Sequence, residues 1–488
     1  DQAGEGVLGF ITNHSYLDNP TFRGMRQSLL NSFDHIYFLD LHGNSKNKEK
    51  SPDGSKDQNV FDIQQGVAII LAVKKPGLKK RISHADLWGL REDKYAWLRT
   101  NDLSTTKWKK VLPKSEFYFF LPRNEKLLPR YERYTKITDV FPTNTIALFT
   151  ARDKLTIQWS KSEAWNTVLQ FSRMDAELAR HAYGLGKDGR DWKVKLAQQD
   201  LLDSDLDRDR IVPILYRPFD VRYTYYTGRS RGFHCMPRGE VFRHMMQENL
   251  AICVGRAGQV VGLEKPWNVV FCTEMITDLN LFYRGGNVVF PLYLYPPEDL
   301  YNGGKKYQRE VNIDKALLDR LTTAYGHKPP PEKVLCYIYA ILYCNTYRSR
   351  YAEFLKSDFP RIPFTADPKL FSKMARYGGN LIELHLLKSK KLGKPSVKFQ
   401  GHGDRQISKL EYDPEKRLVK INAEQYFSVL PVEVWQYQIG GYQVMDKWLK
   451  DRKGRCLDLE DIKHYCKMAM ALKETIATQK KIDAMYGQ

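Results

Sequence analysis

Long apolar runs are missing from this chain of 488 residues. Nothing approaches about eighteen consecutive hydrophobic residues, the length a bilayer-crossing helix needs, and no secretory leader opens the chain. A membrane partner is therefore not expected. Cysteine is sparse: seven residues (235, 253, 272, 336, 344, 456 and 466) form no C-x-x-C pair. Their spacing suits no zinc ribbon, and an odd number speaks against a disulfide framework. The expectations are no metal site, no thiol nucleophile and a reducing cytoplasm. A P-loop is also lacking. Gly4-Glu-Gly6-Val-Leu-Gly9 matches G-x-G-x-x-G, but it precedes a strand instead of following one into a helix, so its glycines read as a turn. Asp86 with Glu92, Asp93 and Lys94 is too tightly spaced for a nuclease site. Internal repeats and long low-complexity tracts are absent.

Acidic residues are in deficit, and the net charge is +20. It is unevenly placed. Residues 1–75 hold eight Lys/Arg and nine Asp/Glu, so the remaining chain carries +21. A surface of that sign attracts phosphates by releasing their counterions, whatever the base sequence. The length suffices for two to four domains with ample cores.

The first 75 residues alternate strand and helix signals. Gly6–Asn13 reads as a buried strand, Phe33–Asp40 as a second, and Asn59–Val73 as a third after a polar excursion. Between the first two, Arg23–Leu30 forms a helix with Met25, Leu29 and Leu30 on one side. Such a succession closes an α/β sheet. It resembles the last strands of an N6-adenine DNA methyltransferase, and its wording resembles Type ISP restriction-modification enzymes. The resemblance implies a cofactor loop and an Asn-Pro-Pro-Tyr motif upstream of residue 1. Asn19-Pro20-Thr21-Phe22 departs from that motif and reads as a helix-entry turn. The resemblance further implies that Phe61 packs against a flipped adenine. It places Asn13, His14, Ser15 and Tyr16 at the strand end facing the cofactor. Asn13, Ser15 and Tyr16 are the cofactor-side candidates, and no catalytic residue is expected within this chain.

Residues 76–210 are mixed. A basic turn spans Lys74–Arg81, short strands are expected at Glu116–Leu121 and Asn144–Thr150, an amphipathic helix at 161–181 and a charged connector at Asp200–Arg210. The next stretch is distinctive. Residues 211–260 hold seven arginines and no lysine, interleaved with four tyrosines and three phenylalanines. Lysine would serve a diffuse positive face equally well, whereas arginine adds a planar fork that fits phosphate or guanine. Arg217, Arg222, Arg229, Arg231 and Arg238 are candidate DNA contacts, with Arg243 and Arg256 following. The alternative is arginine stacked on structural tyrosine.

Farther on, Asn249–Val254, Trp267–Cys272 and Asn287–Tyr295 read as strands of a β-rich layer. A helix is predicted from Pro331 to about Lys356, and Asp358–Phe364 is extended by its two prolines. Arg361 in that segment is a candidate DNA contact or a cap on carbonyls. Lys390 and Lys391 lie in a basic loop of phosphate-contact character, though such runs are usually just solvated. Met445, Trp448 and Leu449 mark the core face of a helix ending near Gly454. A last helix runs from about Leu459 to Met485 and buries Ile462, Tyr465, Cys466, Ala469, Leu472 and Ile476.

The wording at 215–240, 345–364 and 437–454 again resembles Type ISP specificity domains. The expected fold is an α/β remnant of a Rossmann-like methyltransferase sheet (1–75), a linking region (76–210) and a large α+β target-recognition domain (211–488). What the resemblance implies is target-sequence recognition within a site-specific adenine methyltransferase of a restriction-modification system. The parent enzyme would use S-adenosylmethionine, while no cofactor is expected for this chain alone. Double-stranded DNA is the expected partner, along with an upstream methyltransferase half and nuclease or translocase modules of a longer polypeptide. A stand-alone specificity module without chemistry, or an RNA-binding protein, are the alternatives.

Overall fold

The computed structural model describes residues 4–47, 49–114, 116–124, 126–255, 266–283, 286–296 and 309–487. Arg256 lies outside them. The chain divides into two compact units, Asp1–Leu127 and Leu128–Gln488. These limits differ from the boundaries at 75 and 210, because the first sheet gains two more strands beyond residue 75.

In the first unit, β1 (Gly6–Asn13), β2 (His35–His42), β3 (Val67–Lys74), β4 (Arg81–Asp86) and β5 (Lys109–Val111) form one sheet in the order β1-β3-β2-β4-β5. Strand β3 lies between β1 and β2, antiparallel to both, and β2 pairs with β4 in parallel. The period-2 alternation of β2 sends Ile36 and Phe38 to one face and Leu39 and Leu41 to the other. The first pair packs with Ala68, Ile70, Ile82 and Phe120, the second with Val60, Val67 and Ala85. Helices α1 (Arg23–Ser32) and α2 (Arg91–Thr100) accompany the sheet.

Four expectations change here. Strand β1 is apolar yet open to solvent: Val7 is 75 % and Phe10 58 % exposed, with Leu8 and Ile11 also exposed. Apolar composition makes a strand suited to burial, but β1 is an edge strand paired only with β3 among the described residues. Helix α1 turns Arg26 inward and leaves Met25 exposed. Carbonyls accept from two of the guanidinium nitrogens, Nε donating to Phe117 (2.7 Å) and Nη1 to Tyr16 (2.7 Å) and Asn19 (2.8 Å). Third, strand β3 starts only at Val67. Residues 59–66 make a bent loop, pinned where Asn59 Nδ2 donates to the carbonyls of Gly43 (3.1 Å) and Gln65 (2.6 Å). The aromatic run 116–121 is likewise a turn and loop, not a strand; Phe120 from it stacks on Phe38 at 4.3 Å.

The second unit is mixed α/β with several small sheets. Strands Thr145–Ile146, Ala251–Gly255, Val270–Thr273 and Asn287–Pro291 share one sheet; Ile211–Arg217, Asp220–Tyr225 and Ile276–Thr277 form another. A third, at 398–428, is four-stranded and antiparallel. The expected helix at 161–181 is two, Lys161–Arg173 and Ala176–Ala182. Asp175 breaks it by capping the second, its carboxylate accepting from the Glu177 and Leu178 amides. The helix from Pro331 ends at Tyr343 and packs on Pro368–His385. Gly378 makes that approach close, since a Cβ there would stand 1.8 Å from the Cys336 carbonyl oxygen. Arg361 sits in a two-residue strand paired with Thr135–Lys136, so the proline-flanked segment is extended as expected. Met445, Trp448 and Leu449 are buried in the helix Val444–Asp451.

Leu459–Tyr486 is one long helix, opened by a capping box between Asp458 and Asp461. It buries Tyr465, Cys466, Ala469 and Leu472, together with the polar Thr475, Thr478 and Gln479. Ile462 and Ile476 are only half-buried. Among the described residues no helix is long and apolar enough to cross a membrane.

Candidate functional site

Strands β1, β2 and β4 run in the same direction, so their carboxyl ends gather at one edge of the first sheet. That edge is where open α/β sheets place ligands. Asn13 closes β1 and caps the turn after it, accepting from the Ser15 amide (2.8 Å) and hydroxyl (2.6 Å). Asn13 is exposed and Ser15 half-buried. Tyr16 departs from them: it is buried against Phe38, ring centroids 6.0 Å apart, and its hydroxyl has no partner among the described residues. It serves the core of the unit instead of facing a cofactor. Phe61 lies in the bent loop and is 44 % exposed. Its backbone is held at both ends, the amide donating to Asn59 Oδ1 (2.9 Å) and the carbonyl accepting from Arg91 Nη2 (3.0 Å). An exposed ring on a pinned loop is not core packing.

Between these residues lies a cluster that the sequence reading did not assemble. His14 Nδ1 stands 3.0 Å from Asp40 Oδ1. His42 follows Asp40 by two positions, places Nδ1 3.0 Å from Glu49 Oε1 and Nε2 3.2 Å from Asp86 Oδ1, and stacks on Trp88 at 3.3 Å. Burial opposes charging of both rings, but the carboxylates prevail. Asp40 raises His14 above its ordinary value, and Asp86 and Glu49 push His42 up to about 9. The signal available in the sequence was His14 at a strand end and the alternation Asp40-x-His42. The expectation of no metal site rested on cysteine spacing and did not weigh these histidines.

Below the cluster, Lys94 and Asp57 form an ion pair of 2.7 Å between fully buried side chains. Lys94 Nζ also donates to the carbonyls of Leu41 (2.8 Å) and Gln58 (2.7 Å). Asp57 accepts from the amides of Gly43 (2.6 Å) and Gly89 (2.9 Å). One lysine and one carboxylate thus tie together the loops after β2, before β3 and after β4.

In the second unit the structure sorts the arginines into two sets. Arg217 and Arg222 are buried. Arg217 Nη1 donates to Asp278 (2.6 Å), with its guanidinium 3.7 Å from the Tyr216 ring centre. Arg222 forks onto Asp220 through Nη2 (2.8 Å) and Nε (3.1 Å), lying 3.7 Å over Trp159. Asp220 also accepts from Arg452 Nη2 (2.9 Å), and Arg452 covers Trp448 at 3.5 Å. Although burial pushes the other way, Arg452 and Arg222 hold the Asp220 carboxyl below its ordinary value. Forks occupied in this way are turned inward.

The second set faces outward. Arg229 and Arg231 are exposed, each beside one surface carboxylate, Asp203 and Asp191 respectively. Arg238 is half-buried on Met236. Both Arg231 and Arg238 occupy the left-handed backbone region, with φ of 59° and 60°. Arg361 is half-buried and directed at the carbonyls of Glu132 (3.3 Å) and Tyr134 (3.4 Å), so it caps backbone. Lys390 is exposed, and Lys391, also exposed, meets Glu474 at 3.1 Å.

Comparison with known proteins follows this geometry. The family described as Type ISP C-terminal specificity domain matches residues 139–480. No curated protein matches the chain. Among solved structures, a cryo-EM structure of the DrdV–DNA complex superposes with a TM-score of 0.73 at 21 % identity, covering 98 % of this chain and 50 % of that one. The ATP-dependent Type ISP restriction-modification enzyme LlaBIII bound to DNA gives 0.70 at 20 %, covering 98 % and 33 %. A nuclease-deletion mutant of the Type ISP enzyme LlaGI with a DNA substrate mimic gives 0.69 at 19 %, covering 98 % and 46 %. The chain therefore spans a third to a half of the length of these proteins.

Proposed function

The chain belongs to the Type ISP C-terminal specificity domain family over residues 139–480, and from that membership we propose that its second unit reads a target sequence in duplex DNA. The solved proteins of similar fold are DNA complexes, and the excess positive charge lies beyond residue 75. The reading is carried by the outward set of cations. Arg229 and Arg231 project from a loop bounded by Gly228 and Gly232, with Arg238, Lys390 and Lys391 as further contacts. Arg217, Arg222 and Arg361 are engaged within the fold, on Asp278, Asp220 and backbone carbonyls.

Selection from a randomised duplex pool tests the proposal: the chain should enrich one sequence, with affinity falling steeply as salt rises. Failure to enrich any sequence, or preference for RNA in competition, rejects it. On the selected site, alanine at Arg229 or Arg231 separates two roles. A fork on guanine costs about 1–3 kcal/mol of discrimination at one base pair. A phosphate contact weakens all sequences alike and lowers the salt slope by about one. Lysine should not restore a lost guanine contact, because the fork is gone. Wild-type affinity and specificity in both variants would move the reading to Lys390 and Lys391.

For the first unit we infer the closing part of an adenine methyltransferase sheet within a longer restriction-modification polypeptide, which would also hold nuclease and translocase modules. What supports this is β1, whose two apolar faces are both open. A strand of an α/β sheet normally has both faces covered by helices. S-adenosylmethionine does not fit the described residues of this unit, where no glycine-rich loop leads from a strand into a helix. The chain alone should therefore show no heat of binding for that cofactor. In a polypeptide that methylates, Phe61→Ala should lower methylation while leaving DNA affinity nearly intact. Stacking a base on an aromatic contributes about 1–3 kcal/mol. Unfolding of the variant would instead assign Phe61 to packing.

A further inference from the structure

We propose that His14, Asp40 and His42 form a binding site for one divalent transition-metal ion of the zinc class at the carboxyl edge of the first sheet, with the remaining coordination position open to water. The donors come from the ends of β1 and β2. One ligand atom each from His14, Asp40 and His42 lies within 4.8 Å of the others. Two donors on an ion with bonds of about 2.0–2.2 Å stand roughly 3.3 Å apart in a tetrahedron. The observed separations bracket that value: His14 Nδ1 to Asp40 Oδ1 is 3.0 Å and Asp40 Oδ2 to His42 Nδ1 is 3.7 Å. Glu49 Oε1, 3.0 Å from His42 Nδ1, adds negative charge beside the group and is not one of its ligands. Two imidazoles with a carboxylate suit zinc and its neighbours, not magnesium or calcium, which take oxygen ligands.

The surroundings are those a metal ligand set requires. A ligating histidine usually passes its other ring N–H to a carboxylate or an amide, which fixes the ring. His42 Nε2 meets Asp86 Oδ1 at 3.2 Å, and Asp86 is itself approached by Lys109 at 3.4 Å. His14 Nε2 meets the Asn44 side-chain amide at 3.4 Å, a group whose two ends exchange by a flip. The carboxylates are aimed as well: Glu49 Oε2 accepts from the Asn44 amide (2.8 Å) and Asp40 Oδ1 from the His42 amide (2.9 Å). Backbone conformation is specialised at both histidines. His42 has φ +53°, rare for a side-chain-bearing residue. Gly66 packs so closely on His14 that a Cβ would lie 2.3 Å from the ring. Three carboxylates (Asp40, Glu49 and Asp86) surround two imidazoles, and a divalent cation offsets two of their three charges while Lys109 faces Asp86.

The same separations would also fit a proton-bridged network in which His42 is an imidazolium between Glu49 and Asp86, and the experiment separates the two. The purified 488-residue chain is stripped with a chelator, dialysed, and titrated with zinc chloride in a calorimeter. Bound metal is counted by mass spectrometry, and cobalt(II) is substituted for its visible absorption. The expected result is one equivalent per chain, tetrahedral cobalt bands and a higher melting temperature with zinc. Asp40→Asn keeps the shape of the side chain, removes the charge of a ligand oxygen, and should weaken zinc at least tenfold. Asp86→Asn, acting through His42, should weaken it by about 10–100-fold. Binding that survives His14→Ala and Asp40→Asn unchanged is binding elsewhere, and overturns the proposal. So does the absence of zinc binding by the folded chain, which leaves the hydrogen-bonded network alone. This inference stands apart from the DNA-binding reading, which none of these measurements touches.

Discussion

Replacing Asp220 with alanine destabilises the second unit by about 3–5 kcal/mol, the cost of leaving buried charge without its partner. The carboxylate serves two guanidiniums at once, Arg222 through Oδ2 and Arg452 through Oδ1, and all three residues are buried. Removing it leaves two buried guanidiniums without the carboxylate they share. Asp451, 3.6 Å from Arg222, and Asp461, 3.6 Å from Arg452, compensate in part. The effect is readable by urea unfolding followed through tryptophan fluorescence, because Trp159 and Trp448 lie directly on these guanidiniums. Asp220→Asn should fall between wild type and alanine, since it keeps the shape and loses the charge. An alanine variant with an unchanged midpoint would mean that the surface carboxylates suffice.

In the first unit, Lys94→Met has a comparable cost of about 3–5 kcal/mol, again by breaking a buried pair. Methionine fills similar volume, so the loss reports charge and hydrogen bonding, not a cavity. Lys94 Nζ has three acceptors, Asp57, Leu41 and Gln58, which use all three of its donors. Asp57 would be left with two backbone amides and no counter-ion. Adding Asp57→Asn should recover part of the loss, and the difference between single and double variants measures the coupling. The loops tied by this pair carry Phe61 and follow directly on His42 and Asp86. Hydrogen exchange in the single variant should therefore rise first at 43–66 and 86–91. Equal protection there in variant and wild type would show that the pair is not their anchor.

These two pairs also mark where the sequence stops being informative. The alternation in β2 and the helical spacing of Leu459–Tyr486 are local, and both elements lie where the residues suggest. Arginine-rich wording at 211–260 is equally plain, but the direction of each arginine is decided by partners far along the chain. Arg217 turns inward for Asp278, and Arg222 shares Asp220 with Arg452 across 232 positions. No spacing rule carries that. Arg26 is similar: a cation in an amphipathic helix reads as solvent-facing until three carbonyls converge on it. The histidine cluster was half-visible, since His14, Asp40 and His42 stand at strand ends. Joining them needs the β1-β3-β2 order and the left-handed turn at His42. Strand β1 teaches the converse point, that hydrophobicity states what a strand would prefer to touch and not whether anything touches it.

That open strand has a practical side. An edge row of unpaired N–H and C=O groups, flanked by Val7, Leu8, Phe10 and Ile11 and carrying no charge from Gly6 to Asn13, lacks the lysines, prolines and bulges by which edge strands ordinarily repel one another. Two copies at high concentration would present each other with matching templates. Colloidal behaviour of the isolated chain is then governed by eight residues at one rim, and a single lysine placed at Phe10 is the smallest change that would keep it monodisperse.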